Sequence, residues 1–214
     1  MSTFQQELNK KLEQYSLLKH PFYQQWSAGT LSKDALCGYV KEYFHLVKAV
    51  PEMVEKIYQS NPTSEMKANM EDERSHIRLW ENFADGMGIS KKELHEYTPS
   101  DNTINAVNHL LSLMNNPTEG SAAMYAYEAD IPKISLSKID GLRKFYGVTD
   151  SSTLEYFTEH ETADIEHVKV WQAMMSSFNA NQEATALNSA EESLKSQNAV
   201  LDSVCERYMS MANC

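Results

Sequence analysis

His160-Glu161-Thr162-Ala163-Asp164-Ile165-Glu166-His167 carries two imidazoles and one carboxylate at spacings of four and three residues. On a helix advancing about 100° per residue, these side chains stand at roughly 0°, 40° and 340°, within an arc of about 60°. Glu161 and Glu166 point away from that arc and are expected in solvent. Two imidazoles and a carboxylate on one stripe can converge on a metal ion without distorting the backbone. The plainer alternative is an amphipathic helix with polar residues on one face. On either reading the segment is helical, and the same period extends through the chain in both directions.

Towards the N-terminus, Phe4, Leu8, Leu12, Tyr15 and Leu18 recur at helical spacing, and a short helical piece follows from Pro21 to Ala28. Ser32 with Asp34 starts a long helix to about Gln59. It carries Leu36, Tyr39, Tyr43, Leu46 and Val50 on one stripe, with a kink expected at Pro51. Thr63 opens a helix that runs to Gly86-Met87-Gly88. Ser90 caps a short turn with Glu93 three residues on, and Asp101 or Asn102 opens a helix ending before Pro117. Thr118 to Tyr146 reads as one helix bent by Pro132 and stopped at Gly147. Further helices are expected from about Ser151 to Phe178 and from about Gln182 to Tyr208. No strand pattern, internal repeat or domain linker is visible. Only Asn179 to Asn198 is compositionally biased, and it reads as a solvated loop and helix face. The expectation is a single all-α domain over 1–214, a bundle of about seven or eight helices.

Composition agrees with that class. The 214 residues contain only 7 Gly and 6 Pro, so helix breakers are scarce. Lys plus Arg number 19 against 30 Asp plus Glu, a formal charge of −11. That balance argues against a nucleic acid or an anionic membrane surface as partner, because both need clustered cations. No stretch reaches the roughly 18 apolar residues of a membrane span, and Met1 to Asn9 lacks the apolar core of a secretion signal. The cysteines, Cys37, Cys205 and Cys214, are odd in number and form no CxxC. A disulfide framework or thiolate zinc site is therefore not expected, and the reading is a reduced, cytoplasmic protein.

Two further segments bear on the metal reading. Glu73 and His76 form an i, i+3 pair, the Glu-x-x-His arrangement that di-iron bundles project inward. Asp72, four residues from His76, competes for the same role, while Glu71 points elsewhere. Glu is preferred for its longer reach. Glu128 interrupts the apolar run Ala122-Ala-Met-Tyr-Ala-Tyr-Glu128 just before Pro132, where a carboxylate is costly unless paired or bound to a metal. A surface position, or pairing with Lys138, is its bland alternative. Together Glu73, His76, Glu128, His160, Asp164 and His167 offer three carboxylates and three imidazoles. Without thiolate, such a set suits two iron ions, or manganese with iron, better than magnesium, calcium or structural zinc. His20, His45, His95 and His109 have no comparable neighbours and read as structural or exposed.

With those residues in view, the chain resembles the TenA/PqqC superfamily of haem-oxygenase-like bundles over nearly its whole length. Within it, the chain is most similar to the di-iron branch that includes chlamydial proteins associating with death domains. The resemblance is carried by His20-Pro-Phe-Tyr23-Gln-Gln-Trp26, Tyr39-Val-Lys-Glu-Tyr43-Phe-His45, His76-Ile-Arg-Leu-Trp80, Tyr125-Ala-Tyr127-Glu128-Ala-Asp-Ile-Pro132 and Tyr156-Phe-Thr-Glu-His160 through His167. It implies the six ligands named above and O₂ as co-substrate. The first Glu and His are closer together here than in that branch, which bears on Glu73 against Asp72. It further implies synthesis of para-aminobenzoate for folate, from a small molecule or from a tyrosine of the protein itself. The matching positions are Tyr23 as ring donor, Tyr39 and Tyr127 as relays of an electron hole, and Lys138 as amine donor. Lys138 lies ten residues after Glu128, about 80° round the helix if Pro132 bends it little. Each tyrosine also has a plain reading as a core aromatic. A homodimer is expected, and a death-domain partner is implied by the resemblance only.

Three rival readings remain at this point. A cofactor-free oxidase of the PqqC kind would have no use for six ligand-type residues. Thiaminase II hydrolysis wants a nucleophilic cysteine in the cavity, and none lies near Tyr125–Glu128, although Cys37 sits on the core-forming helix. A purely protein-binding role is compatible with the acidic surface but nothing in the sequence demands it.

Overall fold

A computed structural model describes residues 2–209, and every regular element among them is helical. The elements are α1 (Thr3–Gln14), a 3₁₀ turn (Leu17–Lys19), α2 (Pro21–Ala28), α3 (Lys33–Ser60), α4 (Ser64–Gly86) and α5 (Lys91–Glu96). They continue with α6 (Asp101–Leu113), α7 (Pro117–Glu128), α8 (Ile131–Phe145), α9 (Ser151–His160), α10 (Ala163–Met175) and α11 (Ala180–Tyr208). The starts follow side-chain chemistry: Ser32, Thr63, Ser90, Ser100, Asn116 and Asp150 each accept a backbone N–H of the first turn. Asn179 and Gln182 close a reciprocal capping box at the head of α11. No helix among the described residues is long and apolar enough to cross a membrane.

The all-α bundle agrees with the sequence reading, but among the described residues the α-helices number eleven rather than seven or eight. Two expected helices are each divided, and short α5 counts as a third addition. The segment 118–146 breaks at Ala129–Asp130, and Pro132 stands in the first turn of α8 instead of bending a continuous helix. A proline there gives up an N–H that has no intrahelical partner anyway, so it opens a helix at little cost. The segment 151–178 breaks at Glu161–Thr162, where Thr162 leaves helical geometry at φ −121°, ψ −41°. His160 therefore ends α9 while Asp164 and His167 open α10. The single stripe expected from a continuous helix does not form.

Packing explains how the centre of the bundle is held. α11 lies along α7 through small residues: Ala186, Ser189, Ala190 and Ser193 on one side, Ala122, Ala123 and Ala126 on the other, all buried. Ser193 Oγ donates to the Ala123 carbonyl at 2.8 Å, so the close approach strands no hydroxyl. α3 packs against α4 and α11, and α4 packs against α9. Gly141 on α8 is required by contact rather than by backbone angle: a Cβ there would lie 2.6 Å from the Trp26 ring. That approach lets Trp26 Nε1 donate to the Lys138 carbonyl at 3.2 Å, which fixes the helix carrying Lys138. Glu42, fully buried on α3, accepts from Arg207 at 2.5 Å, from Tyr97 at 2.6 Å and from the Ser100 backbone at 3.2 Å. It ties the two longest helices to the loop before α6.

Candidate metal centre

Four helices deliver the six ligand-type residues to one buried region. α4 supplies Glu73 and His76, α7 ends on Glu128, α9 ends on His160, and the first turn and a half of α10 supplies Asp164 and His167. Their potential ligand atoms form two groups, each with all atoms within 4.8 Å of one another: Glu73, His76 and His160, and Glu73, Glu128, Asp164 and His167. Glu73 belongs to both. Its Oε2 lies 3.2 Å from His76 Nδ1 and its Oε1 lies 3.5 Å from His167 Nδ1, so one carboxylate spans the two groups.

Asp72 belongs to neither group. Its side chain is 59% exposed, and it meets the site from outside, with Oδ2 3.5 Å from His167 Nε2. The buried neighbour Glu73 is the carboxylate brought inward. Glu128 is not paired with Lys138; its Oε2 accepts from Trp171 Nε1 at 2.5 Å. His160 is oriented by its own helix, with Nδ1 2.6 Å from the Tyr156 carbonyl, which leaves Nε2 free to face the cluster. Glu166 is exposed and paired with Lys169, and Glu161 stands half-buried in the turn between α9 and α10.

Whether these residues suit metal ions is decided by their unpaired atoms. Glu128 Oε1, both Asp164 oxygens and His167 Nδ1 are buried without a hydrogen-bond partner. Buried polar atoms are almost always paired, and leaving one unpaired costs on the order of 1–3 kcal/mol. Four such atoms around one point are what a cation would satisfy, and the oxygen/nitrogen donor set without thiolate fits iron or manganese. The protonation pattern agrees. Burial and then the charges of Asp164 and Glu73 push the Glu128 carboxyl well up, and burial and then Glu73 push Asp164 well up. Burial alone would raise Glu73, but the His76 hydrogen bond and the surrounding imidazoles outweigh it and hold it low. Burial and the neighbouring His76 depress His160 to about 3, which leaves it neutral and ready to donate a lone pair.

Beside this cluster is a chain of buried phenols around one amine. Lys138 Nζ donates to Tyr39 Oη at 2.7 Å, and Tyr39 Oη lies 3.3 Å from Tyr23 Oη. The ammonium stands 5.1–5.3 Å from the ring centres of Tyr23, Tyr39, Tyr43 and Phe157. Among the described residues no carboxylate pairs with it, and burial lowers its pKa from 10.5 to about 7. Tyr127 interacts with Tyr43 rather than with Tyr23 or Tyr39. Burial raises the phenols of Tyr23, Tyr39 and Tyr127 well above their ordinary range, so all three are protonated.

The path from these phenols to the cluster uses residues the sequence reading did not single out. Ring centres step from Tyr39 to Trp80 at 5.7 Å, from Trp80 to Tyr156 at 4.7 Å and from Tyr156 to His160 at 4.2 Å. Tyr43 stacks on Trp80 at 5.2 Å. A signal for them existed: Tyr43 follows Tyr39 by four, Trp80 follows His76 by four, and Tyr156 precedes His160 by four. Each therefore shares a helix face with a candidate site residue. The other histidines have local duties. His20 caps α2 and contacts Asp202, while His95 and His109 meet Glu81 and Glu192 at 2.7 and 3.3 Å. Cys37 is half-buried with its thiol pushed up by burial, Cys205 is buried in α11, and Cys214 lies outside the described residues.

Known proteins share the fold and the family of this chain. The bundle superposes on a TenA homologue from Pseudomonas syringae with a TM-score of 0.81 at 13% identity, over 95% of this chain and 93% of that one. It superposes on a CADD-like protein of unknown function from Nostoc punctiforme with a TM-score of 0.79 at 18% identity, over 97% of each chain. At these identities the likeness establishes the fold. Sequence relatives are nearer: a 4-aminobenzoate synthase from Chlamydia muridarum is 31% identical over 95% of this chain and 90% of its own. One from Nitrosomonas europaea is 30% identical over 100% of this chain and 95% of its own. The profile of the iron-containing redox enzymes matches residues 37–198, which span all six clustered residues. This chain is an oxidoreductase belonging to the iron-containing redox enzyme family with the haem-oxygenase-like fold.

Proposed function

We propose that this protein is an O₂-dependent oxidase that makes 4-aminobenzoate, taking the ring from its own Tyr23 and the amino nitrogen from Lys138. Glu73, His76 and His160 would hold one iron ion, and Glu73, Glu128, Asp164 and His167 would hold a second iron or a manganese. When bound, the pair supplies electrons to O₂ and oxidising power to the phenols. The remaining work falls to side chains. The observation that carries the reading is the buried Lys138–Tyr39–Tyr23 contact, at 2.7 and 3.3 Å, joined to the cluster through Trp80 and Tyr156. The relatives named 4-aminobenzoate synthase support the product.

A buried phenol that loses an electron must also release its proton, since the positive charge would be poorly solvated. Tyr39 Oη is within reach of the Tyr23 proton, and Lys138 Nζ touches Tyr39. A lysine with a pKa near 7 has a large neutral fraction at physiological pH, so it can take a proton or offer its nitrogen lone pair. Fully buried Tyr23, Tyr39 and Trp26 keep water from quenching an oxidised ring. An acidic chain with no expected disulfide fits a reduced cytoplasm, where folate synthesis takes place.

Expression in a strain that cannot make 4-aminobenzoate tests the proposal. The wild type is expected to restore growth, and the recovered protein to show reduced intact mass. Rescue by Tyr23→Phe equal to wild type would remove Tyr23 as donor. Two bound irons without rescue would point to an oxidase acting on another substrate.

A further inference from the structure

A cavity lies away from the phenol cluster, and the reading above assigns it no occupant. It is an open cleft of about 620 Å³ between α4 and α10. Met66, Val170, Ala173 and Met174 form its apolar walls, and Glu65, Asp72 and Glu166 place acid at its edge. Lys169 is the cation there, and it is already paired with Glu166 at 2.6 Å. His167 also lines the cleft, so an occupant would lie against the ring of a residue assigned to the metal cluster.

Asn69 makes this more than a hollow. It lines the cleft while remaining 2% exposed, and both its amide oxygen and its amide nitrogen lack a hydrogen-bond partner. A helix interior is a poor place for an asparagine, and burying an unsatisfied amide adds to the penalty. One donor and one acceptor side by side are matched by a group that presents the same pair in reverse: a primary amide, an amidine or the corresponding edge of a heterocycle. A carboxylate can accept from the nitrogen but offers nothing to the oxygen, and the acidic edge repels it. The volume and the largely apolar lining are those of a small-molecule site, far larger than a bare ion needs. Two methionines suit an aromatic body through sulfur–ring contact.

We infer that the α4/α10 cleft binds an uncharged or cationic small aromatic molecule bearing an amide-type head, held by Asn69. The inference does not depend on the identity of the reaction product, because the cleft exists without reference to the phenols.

Benzamide is the probe, with benzoate as its anionic isostere, titrated into the intact protein and followed by calorimetry and by NMR of the methionine methyls. Saturable benzamide binding with a dissociation constant of order 1 mM or tighter is expected for a ligand of this size, with benzoate at least tenfold weaker. Asn69→Leu, which keeps the volume and removes both polar atoms, is expected to weaken benzamide at least tenfold. Val170→Trp, which fills the cleft from the opposite helix, is expected to abolish binding, and thermal melts establish that each variant is folded. Equal affinity for benzamide and benzoate, unchanged affinity in a folded Asn69→Leu, or no saturation because water alone satisfies Asn69, would each overturn the inference.

Discussion

Replacing Lys138 by Met is expected to stabilise the protein, and to do so by an amount that falls as pH rises. Lys138 is 4% exposed, has no paired carboxylate among the described residues, and has its pKa lowered from 10.5 to about 7 by burial. In the unfolded chain the same lysine keeps its proton to about 10.5, so between the two values the unfolded state binds more protons than the folded one. Stability of the wild type therefore rises with pH through that window, and the burial penalty is fully present below about pH 7. At about 1.4 kcal/mol for each pKa unit, the gap corresponds to on the order of 4–5 kcal/mol. Methionine matches the stem in length but loses the contact with Tyr39 Oη, worth about 1 kcal/mol, and the ammonium–ring contacts, worth about 1 kcal/mol more. Lys138→Met should thus gain on the order of 2–3 kcal/mol at pH 7, and that advantage should shrink by about 2–3 kcal/mol by pH 9. Urea denaturation of metal-free wild type and variant at the two pH values measures it. A pH-independent difference, or a variant less stable at pH 7, would refute the claim that an unpaired ammonium is buried there. The variant should at the same time yield no 4-aminobenzoate, which makes Lys138 a residue kept against stability.

Loss of Glu73 should empty both ion positions, whereas His160→Ala, Asp164→Ala and Glu128→Ala should each lose at least one ion; iron and manganese quantification after purification without chelator reads the difference, with Glu161→Ala as the unaffected control. Tyr23→Phe should retain full metal content and stop product formation, as judged by growth rescue and intact mass. Asp72→Asn removes the charged partner 3.5 Å from His167 Nε2 and should weaken metal binding about 10-fold or more while leaving the melting temperature of the metal-free protein nearly unchanged. Glu42→Ala should destabilise by on the order of 1–2 kcal/mol in chemical denaturation, because the Tyr97 hydroxyl and the Ser100 N–H lose a fully buried acceptor, while Arg207, 40% exposed, can turn to water.

The helices were legible because apolar stripes and caps are local: Ser32, Thr63 and Ser90 start helices where their hydroxyls reach the first-turn N–H groups. The breaks were less so. Pro132 is compatible with a bend or with a fresh start, and only the departure of Ala129–Asp130 from the helix axis decides between them. At Glu161–Thr162 the sequence holds neither glycine nor proline, and the break is settled by where the flanking side chains are packed. Propensity at one threonine is worth a few tenths of a kcal/mol, which four converging polar residues readily outweigh.

That second break changes what the centre can be. A continuous helix would aim His160, Asp164 and His167 at one point, as the angular reading expected. With α9 ending at His160, its imidazole goes to His76, while Asp164 and His167 turn toward Glu128. Glu73, one residue with two oxygens, then becomes the carboxylate common to both groups among the described residues, and its sequence neighbour Asp72 is left outside, 3.5 Å from the far nitrogen of His167. Spacing along the chain brought out five of the six residues that gather here, because residues three and four apart share a helix face, and the apolar run around Glu128 brought out the sixth. Spacing could not divide them into two groups, because that division depends on the angle between helices and not on position within one. The same limit hid Tyr156 and Trp80: their ring-to-ring contacts between Tyr39 and His160 exist only once α3, α4 and α9 are packed together.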